Sequence, residues 1–271
     1  MSNLQLFNKT LTDERTQNYL TSVLGEKKSS FVSNITALVS NNASLQVCEP
    51  ISILYSGIKA TALDLPLDQN LGFAYVIPFK DNKSGKTVAQ FQIGYKGFIQ
   101  LAMRSGQFKT INVRDVREGE IVGEDFVSSE IQFKKLEIDR EKSNIIGYVA
   151  YFKLINGFEK MSYWSVSEIE HHGRKFSQTF KKGFGLWKDE FDVMAKKTVI
   201  KLLLSKYAPL SIEMQGAITS DQSVINDRGE EYIDNQEDNS EQNEKVAEIF
   251  NIALAKENAI LDAEIINNEK E

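Results

Sequence analysis

A single cysteine, Cys48, stands in this 271-residue chain, so no internal disulfide can form and a reducing compartment is expected. No run of 18 or more apolar residues occurs, which argues against a membrane-spanning helix. Met1 to Asn18 is polar and mixed in charge, without the apolar stretch of a signal segment. Together these absences predict a soluble, cytoplasmic protein with no membrane partner.

Histidine is equally scarce, and the two present are the adjacent His171 and His172. Neighbours on a helix point about 100° apart and rarely share a metal, and no cysteine cluster completes a site. They read as surface polar residues. The serines lack a nucleophile motif, and acidic pairs such as Glu124-Asp125 lack metal-ligand spacing. Ser84-Gly85-Lys86-Thr87 resembles the end of a phosphate-binding loop. The full pattern, however, requires glycine where Lys80 stands and a helix where Val88 to Ile93 reads as strand. No ATP binding, no metal site and no catalytic constellation is predicted. An enzyme is therefore disfavoured.

What is present is a core and a charge asymmetry. The 41% apolar content supports one large domain or a domain plus an appendage. The formal charge of −6 divides unevenly: −1 over residues 1–79, +7 over 80–210, and −12 over 211–271. A basic middle with an acidic end suits a polyanion-binding core and a separate partner-binding segment.

Periodicity orders the chain as α+β. Helical patterns fill the first 70 residues: Thr10 with Asp13 resembles a capping start, Tyr19, Leu20, Val23 and Leu24 form a stripe, and Glu49-Pro50 opens a further helix. Two-residue alternation follows around 73–79 and 91–95, forming a hairpin with a polar tip. It returns at 108–117, 120–127, 130–137, 145–154 and 158–166, with Asn156-Gly157 as a hairpin turn. Helical character resumes from Ser167, and Glu190 to Tyr207 is amphipathic. These patterns predict a core over 1–210, an acidic disordered linker over 211–243, and a small helical partner-binding tail over 244–271.

Gln90 to Gly106 concentrates the basic middle's chemistry. On a helix, Lys96, Gln100 and Arg104 stack along one face, with Phe98, Leu101 and Ala102 on another. Gly94 and Gly97 are read as corner residues that free the backbone to turn. Tyr95 interleaves with the cations, a mix suited to stacking bases and neutralising phosphates. Alternation after Gly106 places Thr110, Asn112 and Arg114 on one strand face and Lys109 on the other. Arg174, Lys175, Lys181 and Lys182, with Phe176, Phe180, Phe184 and Trp187 near them, form a basic-aromatic segment. Trp187 and Phe184 read equally as core anchors for the following helix. Lys197 and Lys201, four residues apart, form a lysine row on the wet side of that helix, and with 23 of the chain's 32 cations in residues 80–210 they are candidate DNA-binding residues.

Several motifs in order resemble one family. They are Pro50-x-Ser52 with Ala62-Leu63-Asp64-Leu65; Ala74-Tyr75-Val76-Ile77-Pro78-Phe79; Gln90 through Gly97; Arg104-Ser105-Gly106; and Trp187-Lys188-Asp189-Glu190-Phe191-Asp192-x-Met194-Ala195-x-Lys197-Thr198. Over roughly residues 45–210 the chain resembles the RecT family of phage and prophage single-strand annealing recombinases. That family usually carries glycine where Asp64 stands. The resemblance implies a core of N-terminal helices, antiparallel hairpins and a short sheet related to lambda Beta. It also implies ATP-independent annealing of complementary strands in homologous recombination, in the bacterial cytoplasm. The expected partners are single-stranded DNA and nascent duplex, further copies of the chain in a ring or helical filament, a cognate 5′–3′ exonuclease and the host single-strand binding protein. No cofactor is required, and Mg²⁺ enters at most as an ion that influences annealing. Alternatives are a DNA-processing nuclease subunit and a structural assembly protein.

Overall fold

The computed structural model describes residues 3–232 apart from 69, 82–84, 129, 137–138, 184 and 227–228, with 223–226 and 229–232 described by backbone alone. The chain opens with helices α1 (Asn3–Thr12), α2 (Glu14–Leu24), α3 (Lys28–Ser40), α4 (Ala43–Gln46) and α5 (Pro50–Ala62). Asp13 starts α2, its carboxylate accepting from the amides of Arg15 and Thr16 at 3.1 and 3.4 Å. That satisfies donors a helix start leaves bare. Of the expected α2 stripe only Leu20 is fully buried, whereas Tyr19 and Val23 stay exposed. Phe7, Leu11, Leu20, Phe31, Ile35 and Val39 pack with Ile53 and Leu54 of α5 into one apolar cluster.

Helix α5 lies against the hairpin of β1 (Ala74–Lys80) and β2 (Thr87–Ile93). Ser52 Oγ accepts from the Ala89 amide at 2.7 Å, and Ser56 Oγ donates to the Ala89 carbonyl at 3.2 Å. Helix hydroxyls thus satisfy both backbone groups of a buried strand residue. The Pro50-x-Ser52 motif acquires its reason: proline starts the helix, and serine stitches it to the strand. As expected, strand and not helix follows Lys86-Thr87.

The chain continues through α6 (Tyr95–Arg104), β3 (Phe108–Arg117), β4 (Ile121–Asp125), β5 (Glu130–Phe133), β6 (Ile145–Leu154) and β7 (Glu159–Ser165). Helices α7 (Val166–Phe176), α8 (Gln178–Lys182), α9 (Leu186–Asp189), α10 (Phe191–Tyr207) and α11 (Ile212–Ser220) follow, and the strands β8 (Ser223–Asn226) and β9 (Gly229–Tyr232) close the described part. Strands β3, β6 and β7 form an antiparallel sheet in that order, while β4–β5 and β8–β9 pair separately. The architecture is mixed, helices with small antiparallel sheets, and the sheets close into no barrel among the described residues. Register sorts the three-stranded sheet into two faces. Val113, Tyr148, Ala150 and Phe152 point inward and join a second apolar cluster with Phe98 and Leu101 of α6 and Val199, Ile200 and Leu203 of α10. Ser165 caps α7 in a reciprocal box with Glu168.

Two expectations change here. The glycines after β2 serve close approach more than turning. A Cβ on Gly94 would meet the Gly72 carbonyl at 2.2 Å, and one on Gly97 would meet that of Phe73 at 2.1 Å. Gly94 itself has an ordinary φ of −77°. The core also does not end at 210, where composition placed the start of a disordered linker. Met214 and Ala217 of α11 are buried in the second cluster, and Asp221 is fully enclosed. Thinning composition conceals this, because a short helix needs few apolar residues to dock. Residues 233–243 and the 244–271 tail lie outside the described residues.

Asp64 follows α5 in the left-handed region, φ 52°, where glycine is free of steric penalty. Its carboxylate pairs with Lys27 at 3.3 Å and Arg104 at 3.8 Å, both on an exposed side chain. Exposed pairs contribute little, so relief of backbone strain dominates. Asp64→Gly is expected to raise stability by about 0.5–1 kcal/mol. A urea unfolding midpoint that falls instead would show that the pairs outweigh the strain.

Candidate nucleic-acid interface

The lysine row of α10 is not wet. Lys197 is buried, its Nζ donating to Asp221 Oδ1 at 2.9 Å, and Lys201 Nζ donates to Oδ2 at 2.8 Å. Asp221 Oδ1 also accepts from the Ile93 amide at 2.8 Å. Burial pushes this carboxyl upward, but Lys197 and Lys201 outweigh it and hold its pKa below the ordinary range. Both lysines are thus committed to an internal anion, which corrects the expected solvated face and with it their candidacy as DNA-binding residues. Beside the ion cluster, Gln222 donates its amide to Phe91 O at 3.0 Å, and Gln90 Nε2 donates to Gln222 O at 2.8 Å. Gln92 Nε2 then donates to Gln90 Oε1 at 2.9 Å. Gln90 and the backbone of Phe91 and Ile93 therefore bind the returning chain, with Gln92 bracing Gln90.

Arg104 is likewise engaged, its Nη2 donating to the Leu63 carbonyl at 2.7 Å. It fastens the end of α5. Phe180 lies against Gly173, where a Cβ would meet its ring at 2.6 Å, and meets Trp187 edge-on with centroids 5.2 Å apart. Trp187 is a core residue, and Phe180 is a half-buried buttress where a free stacking ring was expected. Phe184 lies outside the described residues. His171 is exposed as expected, but His172 sits between Trp164 and Phe176 with centroids 5.7 and 4.7 Å away. Burial, then Lys201 and Lys175, lower its pKa to about 4.

The remaining candidates reach solvent. Lys96 and Gln100 are exposed along α6, and Lys96 lies over Gly72 beside the Tyr75 hydroxyl. Tyr95 is half-buried against the core. Lys109 falls at a bulge between Phe108 and Thr110 and is exposed, so it shares no face with Val113. Arg174, Lys175, Lys181 and Lys182 are exposed around the junction of α7 and α8. Arg174 pairs with Glu170 at 2.7 Å and sits 5.9 Å from the Phe180 ring centre. Lys175 lies 4.8 Å from that of Phe176.

The outer face of the three-stranded sheet supplies what the spacing missed. Register aligns Asn112 and Arg114 of β3 with Tyr151 and Val149 of β6, and these with Met161 and Tyr163 of β7; Lys153 continues the β6 row. Asn112 and Arg114 are exposed and the others half-buried, and none joins either apolar cluster. Tyr151 donates to Glu159, which also pairs with Lys153 at 3.1 Å. Tyr163 donates to the Ile146 carbonyl at 3.3 Å, its ring over Gly147. Tyrosine rings, an amide and cations on one open sheet can stack flat groups and neutralise anions. The signal was available: these residues hold the parity opposite to Tyr148, Ala150 and Phe152. Arg117 and Arg140 do not contribute, because Asp115 and Glu120 bind them at 2.5–3.0 Å. Among the described residues no group of three or more histidine, cysteine or carboxylate side chains could hold a metal, and no helix is long and apolar enough to cross a membrane.

Two predictions follow the ion cluster and the histidine. Removing one member of a buried pair leaves uncompensated charge, so Asp221→Asn is expected to lose about 3–5 kcal/mol in urea unfolding at neutral pH. A loss below about 1 kcal/mol would show the lysines relax into water. His172 has a folded pKa near 4 against about 6.5 unfolded, so its stabilisation is complete above pH 6.5 and disappears as pH falls towards 4. Asp221, with its lowered pKa, loses its contribution only below the ordinary aspartate range. His172→Phe should therefore flatten the stability profile between pH 6.5 and 4 and leave the steeper fall at lower pH.

Comparison with known proteins agrees with these motifs. The RecT family profile matches residues 29–243. The uncharacterized protein YqaK of Bacillus subtilis (strain 168) is 42% identical over 232 residues, covering 82% of this chain and 77% of YqaK. Protein RecT of Escherichia coli (strain K12) is 34% identical over 177 residues, covering 65% of this chain and 64% of RecT. With its motifs in order and the profile running from the third helix past the last described strand, the chain belongs to the RecT family.

Proposed function

We propose that this protein anneals complementary single strands of DNA in phage-type recombination, as an oligomer on DNA and without nucleotide hydrolysis. Membership of the RecT family supports the recombination role. The observation that carries the mode of action is the open sheet face, where Asn112, Arg114, Tyr151, Lys153 and Tyr163 lie in adjacent rows.

In this reading the sheet holds a first strand by its backbone and part of its base surface, leaving pairing edges free. Lys96, Gln100, Lys109, Arg174, Lys175, Lys181 and Lys182 add exposed polar and cationic contacts to the same strand or its neighbour. Adjoining protomers align such surfaces into a continuous trough. Watson–Crick pairing selects the second strand, so the protein need read no sequence. Pairing is downhill. What it needs is relief of repulsion between two polyanions and an extended register, both supplied by fixed cations. No covalent step arises, which suits a protein that is not an enzyme, and no ATP or metal cofactor is required. An exonuclease that exposes single strands and the host's single-strand binding protein are the expected partners, with the acidic end of the chain as the segment that meets them.

Annealing of labelled complementary oligonucleotides, with and without ATP, tests the reading. Log affinity for single strands should fall with log salt by about 0.7 per phosphate contact. Arg114→Ala and Lys153→Ala should each lower that slope by about one contact. Tyr151→Ala should weaken binding by about 1–3 kcal/mol, the usual range for one stacked base. All three should melt like the parent. A flat salt response, or three variants that bind and anneal normally, would refute the site.

A further inference from the structure

Glu159 opens β7 on the outer face of the three-stranded sheet, in one cross-strand row with Lys153 of β6 and Thr110 of β3. A single oxygen of its carboxylate, Oε2, collects two donors: the Tyr151 hydroxyl, and the Lys153 ammonium at 3.1 Å. Tyr151 first and then Lys153 hold this carboxyl below its ordinary range, so it is anionic at neutral pH. In return the bond to Glu159 raises the Tyr151 pKa and keeps the phenol protonated as a donor. An ammonium and a hydroxyl that converge on one anionic oxygen are the donors that grip a phosphate oxygen. The sheet face thus carries an anion site, and the chain's own carboxylate fills it.

This occupant is free to leave. The Lys153 and Glu159 side chains are 37% and 47% exposed. Ion pairs so open to water contribute little, and the displaced carboxylate recovers its hydration at once. Glu120 is the contrast on the same sheet. It lies 4.0 Å from Arg114, but it is buried, bound by Arg140 at 2.5 Å and by the Arg117 amide at 2.7 Å. A strand can meet Arg114 only with Glu120 still in place, whereas Glu159 can swing aside.

We propose that Glu159 stands in for phosphate: it occupies the Tyr151–Lys153 donor pair in the free protein and yields it to a strand phosphate when DNA binds. The inference rests on the strand-binding reading of the sheet face given above and names the residue that regulates it. Binding at this point exchanges one anion for another, so its net gain is small. The carboxylate remains tethered beside the donors and takes them back whenever the phosphate lifts. A strand held this way is extended, yet it can shift register or leave once paired.

The test measures binding of a labelled single-stranded oligonucleotide to the full chain, at equilibrium and by the rates of association and release. Glu159→Gln keeps the shape of the side chain and removes its charge; the site is exposed, so melting should not change. The variant should bind about two- to fivefold more tightly, the factor that an exposed ion pair is worth. Slower release should carry most of that gain. Lys153→Ala with Glu159→Gln should bind no more tightly than Lys153→Ala alone, because the contested donor is gone. A parent whose binding ignores salt would defeat the sheet-face reading itself. A salt-sensitive parent matched by Glu159→Gln would overturn the exchange alone. So would an equal gain with and without Lys153, or a gain carried by faster association only, either of which marks general charge repulsion. Weaker binding by Glu159→Gln would also overturn it, and would make Glu159 a brace that aims Tyr151 and Lys153 at the strand.

Discussion

One enclosed carboxylate organises the molecule. Asp221 lies at the end of α11 and holds Lys197 and Lys201 of α10 and the backbone of Ile93 at the end of β2. Three elements that are distant in sequence meet on two oxygen atoms. An ion cluster of this kind does not by itself guarantee net stability, since taking charges out of water is expensive. What it guarantees is registry. With both lysines inside, any arrangement that moves α11 away leaves two buried ammonium groups without a counter-ion. The Gln222–Phe91 and Gln90–Gln222 bonds follow the same line and extend the closure along β2.

That closure decides which cations face outward. The middle of the chain carries a formal +7, but the sum overstates what a ligand meets. Lys197 and Lys201 are spent on Asp221, Arg117 and Arg140 on Asp115 and Glu120, and Arg104 on the end of α5. The inner side of the sheet is apolar and filled by α6 and α10. Its outer side keeps Asn112, two tyrosines, Arg114 at 4.0 Å from Glu120 and Lys153 paired with Glu159, the last two in ion pairs more exposed than those of the buried lysines. The division follows from strand alternation: one parity builds the core and the other is left for chemistry.

Much of this was legible in the sequence. The strands at 108–117 and 145–154 fall where alternation places them, and the hairpins and the long helix before Pro209 lie within a few residues of expectation. Of the candidate residues, Asn112 and Arg114 emerge on one open face as their parity requires. What could not be read was pairing across distance. Nothing local distinguishes Lys197 from a solvated lysine, because its partner lies 24 residues on. Nor do Gly94 and Gly97 announce that the carbonyls of Gly72 and Phe73 press against them. Asp64 is the opposite case. Its departure from the family's usual glycine was visible, and its left-handed backbone supplies the meaning.

A chain with net charge −6 that binds a polyanion must do so through local fields, and screening makes that possible. At physiological ionic strength exposed charges are largely independent beyond about 8 Å. The −12 over residues 211–271 therefore need not cancel the cations around the sheet, provided that carboxylates stay more than that distance from the bound strand. Asp221 shows the other route to compatibility: a carboxylate neutralised internally repels nothing outside. The β4–β5 hairpin is a third acidic place, with Glu124, Asp125 and Glu130 and no lysine or arginine over residues 121–133. A net negative charge then becomes useful, because it limits polyanion binding to surfaces where cations, amides and rings occur together.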